Sequence, residues 1–147
     1  MKILLLFVVV LLATPQISEA KTRNVYGEVV VTDVEANSAT HWQRERQEQP
    51  VYPIELARGG VQGCSIVSFD ISAGGDTENV EVISSVPNKH LGKYTKKIVK
   101  KWNWQSVNDE VITSLEKRTF RIDYCLGGES AAATAAQCKA QVLLNCS

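Results

Sequence analysis

Downstream of Gly63 the apolar residues change period twice. At first the period is two: Val67, Phe69 and Ile71 alternate with Ile66, Ser68 and Asp70, giving one apolar and one mixed face, which predicts a β-strand. The cluster Ala73-Gly74-Gly75-Asp76 predicts a hairpin turn, and Asn79 to Val86 the returning strand, with Val80, Val82 and Val86 on its apolar side. Asn88 then suits an N-cap. Leu91, Tyr94, Ile98 and Trp102 follow at spacings of three and four, which predicts an amphipathic helix. Its other face carries Lys93, Lys96, Lys97, Lys100 and Lys101, which read as a solvated face rather than a binding patch. Trp102 lies on the apolar stripe and reads as core. A loop over Ser106 to Glu110 leads to a last strand from about Ile112 to Leu126. There Phe120, Ile122 and Tyr124 point one way and Thr119, Arg121, Asp123 and Cys125 the other.

The flanks are less regular. Val25 to Val34 holds the β-branched run Val29-Val30-Val31-Thr32, a candidate strand, and Thr40 to Gln49 is polar with helix-forming Gln43, Arg44, Glu45 and Arg46. Gln49-Pro50-Val51-Tyr52-Pro53 stops regular structure, because each proline lacks an amide hydrogen and pushes its predecessor toward an extended form. Pro53 can open a short helix ended by Gly59-Gly60, and Ser130 can cap an alanine-rich helix running to about Leu144.

These elements predict an α+β fold: a two-layer, three-stranded antiparallel sheet with helices on one face. A right-handed crossover through the helix lays the last strand beside the first, giving the order 2-1-3 with the third strand on an edge. An N-terminal strand and a C-terminal helix would be additions to that unit. An edge strand offers unpaired amides and carbonyls, so it can accept a partner strand or a second copy of the chain. Docking of the Val25 to Val34 segment on that edge would occupy the same place.

Composition bounds the function. The chain has 147 residues, room for one modest domain, and 16 basic against 16 acidic residues leave no cation surplus for non-specific nucleic-acid binding. Lys2, the apolar run Ile3 to Ala13, and Pro15 before Ser18-Glu19-Ala20 predict a secretory signal peptide over residues 1–20. The run reaches roughly 16 Å, about half of a hydrocarbon core. Export puts the rest of the chain in an oxidising compartment, where Cys64, Cys125, Cys138 and Cys146 are expected as two disulfides. Four cysteines allow three pairings; the strand order sets the start of the first strand against the end of the third and so favours Cys64–Cys125, leaving Cys138–Cys146. None of them forms a C-x-x-C pair, which argues against a metal site. His41 and His90 read as ordinary surface residues, the paired glycines as turns, and the terminal Asn145-Cys146-Ser147 as a weak sequon. No nucleophile, base or metal set is identifiable, so an enzyme is not expected and no cofactor is implied.

The entry Gln49-Pro50-Val51-Tyr52-Pro53, the strand with Ser68-Phe69-Asp70-Ile71, the Gly74-Gly75 turn, Val80-Glu81-Val82-Ile83-Ser84-Ser85, the helix closing on Lys101-Trp102-Asn103-Trp104, and Phe120-Arg121-Ile122-Asp123 together resemble the TonB C-terminal domain family. The resemblance covers about residues 49–124. It divides the chain into a signal peptide at 1–20, an N-terminal extension at 21–48, a TonB-like domain at 49–126 and an alanine-rich, cysteine-containing tail at 127–147. It implies a periplasmic module that binds an extended peptide, the TonB box of an outer-membrane receptor, or a segment of another envelope protein, by strand addition in transport. A TolA-like envelope adaptor without energy transduction is the alternative. By the same resemblance Gln49, Pro50, Tyr52 and Pro53 lie near the bound peptide, and the backbone at Thr119, Arg121 and Asp123 pairs with it. Full-length TonB proteins carry an anchor with a histidine and a proline-rich spacer. Here the apolar segment has no histidine and no proline falls between Lys21 and Gln49.

Overall fold

The computed structural model describes residues 26–36, 40–87, 89–109 and 111–147. The leader-like segment 1–20 and the candidate cap Asn88 lie outside them. In chain order the elements are β1 (Gly27–Asp33), β2 (Trp42–Arg44), α1 (Ile54–Arg58), β3 (Gly63–Ile71), β4 (Thr77–Val86), α2 (Lys89–Val99), β5 (Trp104–Ser106), β6 (Glu116–Leu126) and α3 (Ala131–Gln141). No helix among the described residues is long and apolar enough to cross a membrane.

The main sheet is antiparallel, in the order β1-β6-β3-β4. Its β4-β3-β6 part has the order 2-1-3 expected from the alternation. Hairpin β3–β4 closes through Ser72, whose carbonyl accepts from Gly75 N at 2.9 Å. Gly75 sits at φ +82, and a Cβ there would meet the Trp104 carbonyl oxygen at 2.2 Å, so only glycine fits both the turn and the strand beside it.

One face of the sheet carries the core. Val67, Phe69, Ile71, Ile122 and Tyr124 are fully buried against Leu91, Thr95 and Val99 of α2. Phe69 is the centre of an aromatic group: Trp104 stacks on it at 5.5 Å, Phe120 lies tilted at 5.6 Å and Trp102 edge-on at 6.1 Å. Pairs of this kind add about 0.5–1.5 kcal/mol each beyond area burial. Trp104 also satisfies its indole, donating from Nε1 to Thr77 Oγ1 at 2.9 Å, while Thr77 Oγ1 donates to the Trp102 carbonyl at 2.7 Å.

Three expectations need correction. First, β6 is not an edge. The run Val29-Val30-Val31-Thr32 pairs with it from Gly27↔Leu126 to Asp33↔Phe120, placing Val29 in the core. Second, Thr40 to Gln49 is not helical. Trp42–Arg44 forms β2, antiparallel to β5, and Trp42 is buried in the same core cluster as Trp102, Trp104 and Phe120. The stretch read as an extension thus contributes two strands to the fold.

The third correction concerns the cysteines: Cys64 joins Cys146, with Cα atoms 5.8 Å apart, and Cys125 joins Cys138 at 5.3 Å. Cys64 and Cys125 do share a sheet face, but Cys64 stands opposite Asp123, so Cys125 is one step further along on the diagonal. Diagonal neighbours sit about 7–8 Å apart, beyond disulfide reach. Helix α3 packs over this second face, opposite to α2, and it and the tail supply the partner for each cysteine.

Candidate functional site

Strand β1 stands where a partner strand was expected. Val34 N donates to the Thr119 carbonyl at 3.1 Å and Gly127 N to the Tyr26 carbonyl at 3.0 Å. These contacts set the parity of the ladder, because hydrogen-bonded pairs alternate in an antiparallel sheet. The main-chain groups of Arg121 and Asp123 therefore face Thr32 and Val30. Thr119 N is taken by the Glu35 carboxylate at 3.1 Å, and the buried Arg118 forms an ion pair with Asp33. The backbone at Thr119, Arg121 and Asp123 is thus engaged by the chain itself.

The side chains of Arg121 and Asp123 have a separate task on the α3 face. Arg121 Nε and Nη2 each donate to one carboxylate oxygen of Asp123 at 2.8 Å. Its Nη1 donates to the Leu144 carbonyl at 2.7 Å, and Nη2 also to the Gln141 carbonyl at 3.2 Å. Asp123 is fully buried. The pair therefore ties the C-terminal segment down over the sheet.

The Gln49–Pro53 segment crosses the other, core-facing side. Tyr52 stands edge-on to Tyr124 with ring centroids 5.8 Å apart, and its hydroxyl donates to the Val61 carbonyl at 2.5 Å. Its ring lies so close to Gly27 that a Cβ there would meet it at 2.8 Å, which fixes the start of β1 beside the segment. Burial pushes the Tyr52 hydroxyl up to about 12, with the neighbouring Tyr124 adding to it. Burial also raises Tyr124 to about 12, partly offset by its hydrogen bond to Thr95. Pro53 opens α1, its carbonyl accepting from Ala57 N at 3.0 Å. Gln49 and Pro50 line a groove of about 590 Å³ shared with the end of α2.

With β6 covered, the sheet's outer edges are β1 and β4. Strand β4 breaks register with β3 twice and exposes Ile83, and such irregularity is how edges are blunted against pairing. Strand β1 runs through seven residues in unbroken register. By the same parity, the N–H and C=O of Gly27, Val29, Val31 and Asp33 point away from β6. Beside this edge lies a second depression of about 400 Å³, bounded by Val31 and Asp33 on one side and Gln43, Arg44 and Gln47 on the other.

Arg44 lines both depressions. Its guanidinium carbon lies 4.6 Å from the centre of the Trp102 ring, and Nη2 donates to the Glu48 carbonyl at 3.2 Å. Burial lowers its pKa. Arg44 Nη1 and Trp42 Nε1 are both buried without an acceptor. A buried donor left unpaired costs about 1–3 kcal/mol, and these two side chains stand two residues apart on β2 and both line the smaller depression, where oxygen ligands would satisfy them. In the sequence Arg44 reads only as one of the helix-forming residues of the polar stretch Thr40 to Gln49, where the lone indole of Trp42 is the available sign of burial.

Comparison with known proteins places residues 48–126 under the family model described as Gram-negative bacterial TonB protein C-terminal. Protein TonB of Yersinia enterocolitica is 29% identical over 59 residues, covering 40% of this chain and 23% of that protein. The chain thus spans about a quarter of the length of that curated relative. A solution NMR structure of the Pseudomonas aeruginosa TonB C-terminal domain aligns with a TM-score of 0.44 and 22% identity, over 60% of this chain and 85% of the other.

Proposed function

We propose that this chain, which belongs to the family of Gram-negative bacterial TonB protein C-terminal domains, is a periplasmic interaction module. It takes up an extended segment of an outer-membrane receptor or another envelope protein by strand addition, without catalysis. The observation that carries this reading is the outward main chain of β1, regular over seven residues and flanked by a groove. Main-chain pairing along Gly27, Val29, Val31 and Asp33 supplies affinity; the groove and the Gln49–Pro53 segment select side chains of the incoming peptide. In this reading the docking edge is β1 in place of β6, and Gln49 and Pro50 remain beside the ligand.

The test is a titration of the isotope-labelled protein with a synthetic receptor-derived peptide, comparing the unaltered chain with Val31→Pro. Proline removes one outward donor and no ladder bond, so stability should stay within about 1 kcal/mol while affinity falls about tenfold or more. Shift changes should run along residues 27–33 and 43–50. Binding that is indifferent to Val31→Pro, or that maps to β4, would overturn the proposal.

A further inference from the structure

The two depressions meet at Arg44, and their walls are unequal in charge. In the larger one Arg44, Arg46, Lys97 and Lys101 face two carboxylates, Glu45 and Glu48. Among the described residues no ion pair engages Lys97 or Lys101; Lys97 lies 5.6 Å from the Tyr94 ring centre. Cations in the last turn of α2, such as Lys97, and just past its end, such as Lys101, are favoured by the helix dipole, which accounts for these lysines without any ligand. The dipole does not account for Arg44 Nη1, buried without an acceptor beside the Trp102 ring, nor for Trp42 Nε1, unpartnered in a side chain only 6% exposed.

We propose that this junction is a carboxylate subsite for an acidic side chain of the incoming extended peptide, held by Arg44 Nη1 with Trp42 Nε1 as second donor. The inference rests on strand addition along β1, because that path carries the peptide past Gln43 and Arg44. A carboxylate suits the place better than a neutral carbonyl for two reasons. It offers lone pairs to the unpaired donors of the smaller depression, where Asp33 is already neutralised by Arg118, and it approaches a guanidinium that is fixed over an aromatic ring and also lines the larger depression with its excess of positive charge. The unpaired Nη1 also gives the guanidinium an advantage over lysine, whose ammonium cannot keep the Glu48 bond and reach a carboxylate in one plane.

The experiment uses the unaltered protein and strand-forming peptides in which one glutamate is moved along an otherwise neutral sequence, each paired with its glutamine counterpart. One position should bind about tenfold or more tightly as glutamate than as glutamine, the ratio shrinking as salt rises. At that position the Trp42 indole proton should move downfield, and Arg44→Lys should remove the discrimination while neutral peptides still bind. If every glutamate and glutamine pair binds alike, the carboxylate subsite is wrong and strand addition stands. If no peptide binds at all, strand addition falls and the subsite with it.

Discussion

Thr32 lies opposite Arg121 in the ladder between β1 and β6, with the main-chain groups of each turned toward the other. This pairing leaves the outward main chain of β1, and not that of β6, open to the strand addition proposed above. Native-state hydrogen exchange should show Arg121 and Asp123 amides protected to near the global stability, while Val29 and Val31 amides exchange readily until a peptide is added. Fast exchange at Arg121 would mean that β1 leaves the sheet often.

The cost of breaking the inner side of β1 should differ sharply from that of altering its outer side. Val30→Pro removes the bond toward Asp123 and is expected to lower stability by about 2–3 kcal/mol, measured by urea unfolding. The same measurement on Val31→Pro should show little change.

Arg121→Met should destabilise by about 3–5 kcal/mol, since it strands the fully buried Asp123 carboxylate without its two 2.8 Å donors. The double variant Arg121→Met with Asp123→Leu should recover a substantial part of that loss. Failure of the double variant to recover would show that the bonds to the Gln141 and Leu144 carbonyls, rather than the ion pair, carry the effect.

Non-reducing peptide mapping should recover Cys64 linked to Cys146 and Cys125 linked to Cys138, with no Cys64–Cys125 fragment. Replacing Cys64 and Cys146 together by alanine opens a loop with a sequence separation of 82, and replacing Cys125 and Cys138 one of 13. Chain entropy puts the losses at about 4.5 and about 3 kcal/mol respectively, so the longer loop should show the larger drop in unfolding midpoint.

Alkali should unfold the protein through its tyrosines. Both Tyr52 and Tyr124 hold their protons up to about 12 against an ordinary value of 10.0, so the folded state binds protons that the unfolded state releases. Their contribution is complete below pH 10 and is lost as pH rises toward 12, with Tyr124, fully buried, responsible for about 2–3 kcal/mol. Tyr124→Phe should flatten this decline when stability is followed by circular dichroism across that range.

Local periodicity was enough to locate the hairpin, the amphipathic helix and the last strand, because an alternation or three-four spacing reports a face that is to be buried; on β4 only Val80 of the expected apolar side is buried, and Val82 and Val86 are exposed on a strand that breaks register with β3. From these the right-handed crossover led to the order β4-β3-β6 and set the start of β3, with Cys64, against the end of β6, with Cys125. The polar turn around Ala73 to Asp76 and the stop at Pro50 and Pro53 are equally local. What the chain could not disclose residue by residue is which distant segments meet. Val29-Val30-Val31-Thr32 reads as a strand anywhere, but only the assembled sheet, with β6 needing a partner and Tyr52 wedged against Gly27, puts it on the edge. Cys64 and Cys125 were separated by one diagonal step, a register detail fixed by packing, and so each took its partner from the C-terminal segment. The unpaired donors of Trp42 and Arg44 exist only because β2 crosses to β5 over the aromatic group, a contact between residues about sixty positions apart that no local pattern encodes.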